Sequence, residues 1–256
     1  TLSLHDALPI LQVAQSSLDR LHPADLADII EDMDVHERAA VVESLNEEVL
    51  ADALEEMDPR VQVAIMRGLE PEKAADILEE MSPDEAADLL AEIPEDRSRE
   101  LLKLMEEDEA EDVRELLAYP ENSAGGIMTT EYVTIPPEFT AADTIRHLRQ
   151  TANEAETVYY IYVADREEHL LGVFSLRQLV FSEPDQPVTE FMETRVITVL
   201  LTAAQDECAQ VVSKYNLLAV PVVDEDGVMH GIVTADDALD KIIPTAWKKR
   251  LPKLYH

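Results

Sequence analysis

The chain of 256 residues carries 55 acidic and 20 basic residues, which gives a formal net charge of −35, and 46% of its residues are hydrophobic. That hydrophobic content excludes wholesale disorder, and the surplus of carboxylates argues against nucleic acid and anionic membrane surfaces, which are bound by neutralising phosphates with Lys and Arg. The single Cys208 excludes an internal disulfide and the longest apolar run, residues 196–204, is too short to span a bilayer, so we expect a cytoplasmic chain of two or three domains with no transmembrane segment.

Residues 1–10, TLSLHDALPI, match neither a secretory signal nor the pattern that follows, and we interpret them as a non-native leader. From residue 11 to residue 121 we predict an all-α superhelical array. A period of twelve residues leaves room for one short helix and one turn, and such a helix cannot bury its apolar stripe alone, so eight to ten helices should stack, with either hand of the superhelix open. The period is marked by Met33, Leu45, Met57, Leu69, Met81, Ile93 and Met105.

The turns between the predicted helices carry helix-start residues. Pro59, Pro71 and Pro83 also recur every twelve residues, each where the first helical position is expected. Ser82 and Glu85 have the spacing of a capping box, in which each side chain accepts a hydrogen bond from the other residue's amide. The sequence therefore predicts where each helix begins.

The array is strongly acidic. Residues 21–120 contain 32 Asp and Glu against 8 Lys and Arg, and 32 − 8 leaves a net charge of −24. A single carboxylate in the first turn of a helix does not indicate a bound ligand, because the helix dipole alone favours an acid at that position. The summed repulsion of so many carboxylates opposes compactness, which favours a cationic partner.

At residues 122–126 the composition changes to an α/β pattern. The β-rich runs 159–163 and 219–223 alternate with amphipathic stretches at residues 140–150 and 203–215. Residues 172–178, GVFSLRQ, resemble residues 231–237, GIVTADD, at a spacing of 59, and Met128 precedes the first copy as Met192 precedes the second. We predict that one βαββα unit occurs twice, over residues 122–185 and 186–243.

These paired motifs resemble tandem CBS domains, the modules named for cystathionine β-synthase. In that family the segment that corresponds to residues 172–178 and 231–237 often contacts an adenine nucleotide. The resemblance therefore implies the following nucleotide-binding residues: Tyr160, Ser175, Arg177, Thr234 and Asp237. The first copy has Gln178 where a carboxylate would contact the ribose. A helix cap at Thr234 and Asp237, opening a helix over residues 235–243, explains the same pattern without a ligand.

The acidic array, then AGGIMT at residues 124–129 and ETVYYIYV at residues 156–163, is similar to the cytosolic half of MgtE-type magnesium transporters. In that family this half is a magnesium sensor, and ions between the helical domain and the CBS pair hold a closed state. Magnesium takes oxygen ligands and keeps several waters, so acidic surfaces suit it. The resemblance implies metal contacts at Asp52, Asp84, Asp88, Gly126, Asp206, Asn216, Asp237 and Asp240; Asn216 stands where the family has an acid.

The chain departs from the family after residue 243. Residues 244–256 form a basic tail with Trp247 and Tyr255, interrupted by prolines, where the transporters continue into an acidic connecting helix. The pattern therefore does not support a pore-gating connection, and the chain is either a stand-alone relative of the sensor half or a fragment. A membrane transporter domain or another protein is a possible partner. The resemblance also implies a homodimer through the CBS domains.

We do not expect an enzyme. The seven histidines are scattered, none lies near a Cys or a second His at ligand spacing, and we interpret them as surface or cap residues. The leading hypothesis is a magnesium-sensing regulatory module with Mg²⁺ as its ligand. The alternatives are a CBS protein that senses ATP or AMP without metal, and an adaptor whose acidic surface binds a basic protein.

Overall fold

The computed structural model describes residues 18, 20–151 and 155–240, with the backbone alone at Asp240. The chain forms two compact units that divide between Arg114 and Glu115. The predicted leader at residues 1–10, the tail at residues 244–256 and the last turn of the helix predicted over residues 235–243 lie outside the described residues.

The first unit consists of short helices separated by turns of two to five residues. Four of them begin at a proline, including Pro59, Pro71 and Pro83, which confirms the predicted helix starts. The helices are α1 Pro23–Asp32, α2 Val35–Ser44, α3 Glu47–Glu55, α4 Pro59–Gly68, α5 Pro71–Glu79, α6 Pro83–Glu92 and α7 Glu95–Leu101, and α8 Glu107–Leu117 runs across the division between the units.

The residues that mark the twelve-residue period follow the helices and are buried, except Met33, which is half-buried. Helices two places apart pack together: α1, α3, α5 and α7 form one row, and α2, α4 and α6 form a second. The α5 residues Ala74, Ala75, Ile77 and Leu78 are almost fully buried, as the amphipathic pattern predicts. The helical array is therefore confirmed, with 24 residues between stacked neighbours.

A glutamate in the last turn of one helix caps the start of a helix three places later. The carboxylates of Glu31, Glu55 and Glu79 accept hydrogen bonds from the backbone amides of Asp58, Ser82 and Glu106, at 2.6, 2.7 and 2.6 Å. These bonds satisfy amides that a helix start leaves without an intrahelical partner.

The capping box predicted at Ser82 is wrong. The Ser82 side chain makes no capping bond to α6 and instead donates to Glu55 at 3.1 Å, because the glutamate from α3 occupies this helix start. A capping box is present at α2, between Asp34 and Glu37.

The second unit contains two three-stranded sheets of the same topology, β1-β2-β3 and β4-β5-β6, each with a parallel and an antiparallel pair. This confirms the duplicated α/β unit. The elements are a 3-10 helix at Ala124–Gly126, β1 Thr134–Ile135, α9 Ala141–Thr151, β2 Tyr160–Ala164, β3 Leu170–Ser175, α10 Leu176–Phe181, a 3-10 helix at Val188–Glu190, β4 Val199–Leu200, α11 Gln205–Tyr215, β5 Ala219–Val223, β6 Met229–Thr234 and α12 Ala235–Asp240.

A segment near the start of each copy pairs with a strand of the other copy. Thr129, near the start of the first copy, pairs with Ile232 on β6 of the second, and Glu193, near the start of the second copy, pairs with Val173 on β3 of the first. Glycine is required at Gly231, where a Cβ would lie 2.6 Å from the Thr129 carbonyl oxygen. A Cβ at Gly172 would lie 2.7 Å from the sulfur of the Met192 side chain. The repeated glycine and methionine of the sequence thus mark the same contact in both copies.

Candidate metal and nucleotide sites

The first unit carries three of the predicted metal ligands. Asp84 and Asp88 lie one turn apart on α6 and are both half-buried, so they share one face of that helix. Asp52 lies in the middle of α3 and is exposed. Carboxylates at these positions offer the oxygen ligands that Mg²⁺ prefers.

The basic residues of the array mostly bind backbone carbonyls at helix ends. Arg38 donates to the carbonyl of Glu31 at 2.9 Å, Lys73 to that of Glu43 at 2.9 Å, and Arg97 to that of Leu69 at 3.0 Å. Arg114 does the same for Leu102 at 2.9 Å, whereas Arg99 donates to the carbonyl of Glu95, one turn earlier in its own helix, at 3.2 Å. Four of these five side chains also approach a carboxylate, but eight cations cannot neutralise 32 acids.

The uncompensated charge changes the ionisation of particular acids. The Asp52 side chain is exposed, yet neighbouring protein atoms desolvate its carboxylate enough to raise its pKa, and Glu48 on the same helix raises it further. The pKa of Glu109 is raised by desolvation and then by four carboxylates, those of Asp108, Asp112, Glu79 and Glu106. A bound cation would relieve this repulsion.

The second unit carries the remaining predicted ligands on three elements. Gly126 ends the first 3-10 helix, where a Cβ would lie 2.3 Å from the Pro120 carbonyl oxygen, so no other residue fits this backbone. Asp206 is exposed in the first turn of α11. Asn216 caps the end of that helix with φ 51°, a left-handed conformation that asparagine tolerates better than most residues.

Helix α12 carries the last two predicted metal positions and packs against α11. Asp237 lies in its first turn and is half-buried, and its carboxylate receives a hydrogen bond from the Thr234 hydroxyl. The side chain of Asp240 lies outside the described residues. The structure therefore groups these acids on neighbouring helices, and their role in binding a metal stays a prediction.

The nucleotide residues predicted in the first copy share one end of a sheet. Tyr160 on β2 pairs directly with Ser175 on β3, and the exposed Arg177 follows in α10. Ser175 and Gln178 form a capping box at the start of α10, which explains why an amide side chain serves at this position.

In the second copy Ala219 pairs with Thr234, which is 4% exposed and next to Asp237. Tyr160 packs on a cluster that includes Tyr162, Ala219, Met229 and Ile232, and so joins the two sheets. The two predicted nucleotide sites thus lie at equivalent places of the two sheets, and in both a hydroxyl takes part in a helix cap.

The structure brings together two groups of ionisable residues that we did not predict from the sequence. Asp165, Glu167 and His169, in the turn between β2 and β3, have ligand atoms within 4.8 Å of one another. The Asp165 carboxylate accepts hydrogen bonds from the backbone amides of Glu167 and His169 at 2.9 and 3.0 Å. The turn itself therefore explains why these three side chains lie close together.

The second group surrounds His230, which is half-buried against Glu115 and Asp224 and therefore is not the surface or cap residue we expected. By contrast, His22 does cap α1, as expected. The alternation of side chains along β6 could have indicated that His230 faces the protein interior. Its contact with Glu115 could not be predicted, because the two residues are 115 positions apart and no local pattern links them.

Among the described residues, no helix has both the length and the apolar composition needed to cross a membrane. Residues 21–122 match the MgtE intracellular N domain, and residues 124–183 and 188–244 match the CBS domain. The chain is 44% identical over 128 residues to the magnesium transporter MgtE of Thermus thermophilus, and 44% identical over 130 residues to that of Enterococcus faecalis. These alignments span 50% and 51% of this chain but only 28% and 29% of the transporters.

Two solved structures match nearly the whole chain. The crystal structure of the soluble part of a magnesium transporter is 34% identical, with a TM-score of 0.87, covering 92% of this chain and 93% of that one. The cytosolic domain of the Mg²⁺ channel MgtE in complex with ATP is 36% identical, with a TM-score of 0.86, covering 93% and 98%. The match to a cytosolic domain confirms the expected cytoplasmic location. On this evidence the chain belongs to the MgtE family of magnesium transporters, of which it carries the intracellular N domain and the CBS pair.

Proposed function

We propose that the chain is a magnesium-responsive regulatory module and not an enzyme. The observation that carries the proposal is the uncompensated charge of the helical array, where 32 acids face 8 basic residues and five of those basic side chains bind helix carbonyls. Hydrated Mg²⁺ ions bound by carboxylates of the array and of the CBS pair would cancel this repulsion and favour a closed state. The identity of the relatives as magnesium transporters supports the choice of ion.

The free energy available to such a switch follows from mass action. Each site that binds Mg²⁺ in the closed state alone favours that state by RT ln(1 + [Mg]/Kd), so several sites of modest affinity are sufficient. We infer that a membrane-embedded transporter domain, in the same or another chain, receives this conformational change. A homodimer through the CBS domains remains part of the proposal.

The test is small-angle X-ray scattering of the chain during a magnesium titration, compared with chelator. We expect the radius of gyration to fall as magnesium enters the millimolar range. Asp84→Ala and Asp237→Ala should shift the transition to higher magnesium concentration. Asp76→Ala is the matched control, since it removes the same charge from an exposed position on α5 that is not among the predicted ligands. Superimposable curves with magnesium and chelator would reject the proposal.

An adenine nucleotide is the second candidate ligand, favoured by the position of Tyr160, which packs on residues of both sheets, and by the relative solved in complex with ATP. The Thr234 hydroxyl can donate a hydrogen bond to a phosphate, and the Asp237 carboxylate can accept hydrogen bonds from the ribose hydroxyls. Calorimetric titration with ATP and with AMP should show heat that Asp237→Asn reduces and Asp76→Asn does not. Absence of heat from both nucleotides would exclude this ligand.

A further inference from the structure

His230 lies on β6 with a carboxylate facing each of its two ring nitrogens. Nδ1 is 3.4 Å from Oε1 of Glu115, and Nε2 is 3.6 Å from Oδ2 of Asp224. The side chain is 26% exposed, and Nε2 is buried without a hydrogen-bond partner among the described residues. The two acids come from different parts of the second unit, one from the last turns of α8 and the other from the turn between β5 and β6.

Acids and a tyrosine flank this histidine, and His169 lies on the segment that pairs with Val228, two residues before His230. The Tyr119 hydroxyl donates to the same Glu115 oxygen at 3.2 Å, and burial followed by Glu115 raises the pKa of Tyr119. Asp224 accepts the backbone amides of Val228 and Asp226, and the bond from Val228 contributes most to the lowering of its pKa. The same turn carries the exposed Glu225 and Asp226, and α12, which also packs on β6, carries Asp236 and Asp237 in its first turn. By contrast, β5 and the packed 3-10 helix contribute apolar residues and glycine.

The protonation state of the imidazole decides how many of these contacts are attractive. A neutral ring has one N–H and can donate toward only one carboxylate, while it presents a lone pair to the other. A protonated ring donates from both nitrogens and carries a positive charge between two negative ones. Histidine is the side chain that changes charge between about pH 5 and pH 8.

The contact acts on the segment that connects the helical array to the first CBS copy. Farther along, this segment is held by backbone bonds that do not titrate: Gly125 N to Leu201 O at 3.0 Å, Ala124 N to Ala203 O at 2.8 Å and Gln205 N to Asn122 O at 3.1 Å. Among the described residues between Glu115 and Pro120, the His230 contact is the ion pair that proton uptake strengthens.

We propose that His230 is a proton-operated clasp, which holds the Glu115 end of the connecting segment on the second CBS copy when its imidazole is protonated and loosens that contact when the imidazole is neutral. The clasp needs neither magnesium nor nucleotide, and so adds an input to those of the proposed function. It makes the mobility of the connecting segment depend on the acidity of the compartment.

The test is amide hydrogen exchange over residues 115–120 in the full chain, with chelator present so that magnesium plays no part. After correction for the intrinsic pH dependence of exchange, we expect protection at pH 6 to exceed that at pH 8 by about two- to fivefold, the effect of a half-exposed ion pair. Equal protection at the two pH values would overturn the proposal.

Three variants separate the clasp from general effects of pH. His230→Gln and Glu115→Gln should each abolish the difference between pH 6 and pH 8, and Glu115 is exposed, so that variant should fold even if the histidine variant does not. His169→Gln is the matched control, because His169 pairs with Asp165 of its own turn and should leave the difference unchanged. A difference that persists in Glu115→Gln would also overturn the proposal.

Discussion

Glu109 on α8 shows what the acidic surplus does to a single residue. Its carboxylate is partly desolvated and faces Asp108, Asp112, Glu79 and Glu106, so its pKa lies above the usual 4.5. A carboxyl whose pKa is raised by folding binds its proton more tightly in the folded state, and its contribution to stability is lost as pH rises from the unfolded pKa through the folded one. At neutral pH this residue therefore opposes folding.

We expect Glu109→Gln to stabilise the helical array at pH 7 and low salt, by less than about 1 kcal/mol because the group is largely exposed. Urea unfolding followed by circular dichroism should show the gain, and it should shrink near pH 4, where the wild-type carboxyl is partly protonated.

The control for this prediction is Glu107→Gln in the same helix turn. Glu107 pairs with Arg114 at 2.9 Å, so removing its charge also removes an attraction and should give no gain. Equal stabilisation by both substitutions would mean that total charge, rather than the local repulsion at Glu109, sets the effect.

At the scale of elements, the array is held together by bonds between helices that are distant in sequence. Glu55 at the end of α3 accepts from the amide and the hydroxyl of Ser82 at the start of α6. Glu31 and Glu79 repeat the amide bond 24 residues earlier and later. Each such glutamate fixes a turn as well as a helix start.

We expect Glu55→Ala to destabilise the array by about 1–2 kcal/mol, the usual cost of losing a helix cap, and Glu55→Gln to cost less because it keeps an acceptor oxygen. Urea unfolding again measures the change. Glu80→Ala removes the same charge from an exposed position and should stay within about 0.5 kcal/mol of wild type. A loss no larger than that of Glu80→Ala would contradict the capping role.

Most of the elements could be predicted from the sequence, because the signals that set them are local. A proline at the first helical position and an apolar residue every twelve positions mark each helix, and a glycine facing Met128 or Met192 marks each CBS copy. The cap at Ser82 could not be predicted, since its acceptor comes from a helix 27 residues away. The partner of His230 is 115 residues away, which hides that contact in the same manner.

The candidate ligands could be chosen only through the family resemblance. Composition and spacing showed that the array is acidic, but 32 carboxylates offer many possible pairs and no local signal selects Asp84 and Asp88 among them. The structure adds that both lie half-buried on one helix and that Asn216 has a backbone reason for its identity. The prediction that these residues bind magnesium rests on the resemblance and on the chemistry of the ion.

For the whole molecule, the net charge of −35 is tolerated because the forces that hold each unit do not depend on neutralising it. In the array, buried apolar residues and carbonyl-bound arginines stabilise the stacked helices, while the carboxylates stay toward solvent. Such a scaffold can still respond to cations, since its acids far outnumber its basic residues.

The reciprocal pairing of Thr129 with Ile232 and of Glu193 with Val173 has a consequence for inheritance. Either copy without the other would lose the backbone pairing that the other copy provides, and this would expose an unpaired sheet edge. A gene deletion that removes either copy should therefore destabilise the copy that remains.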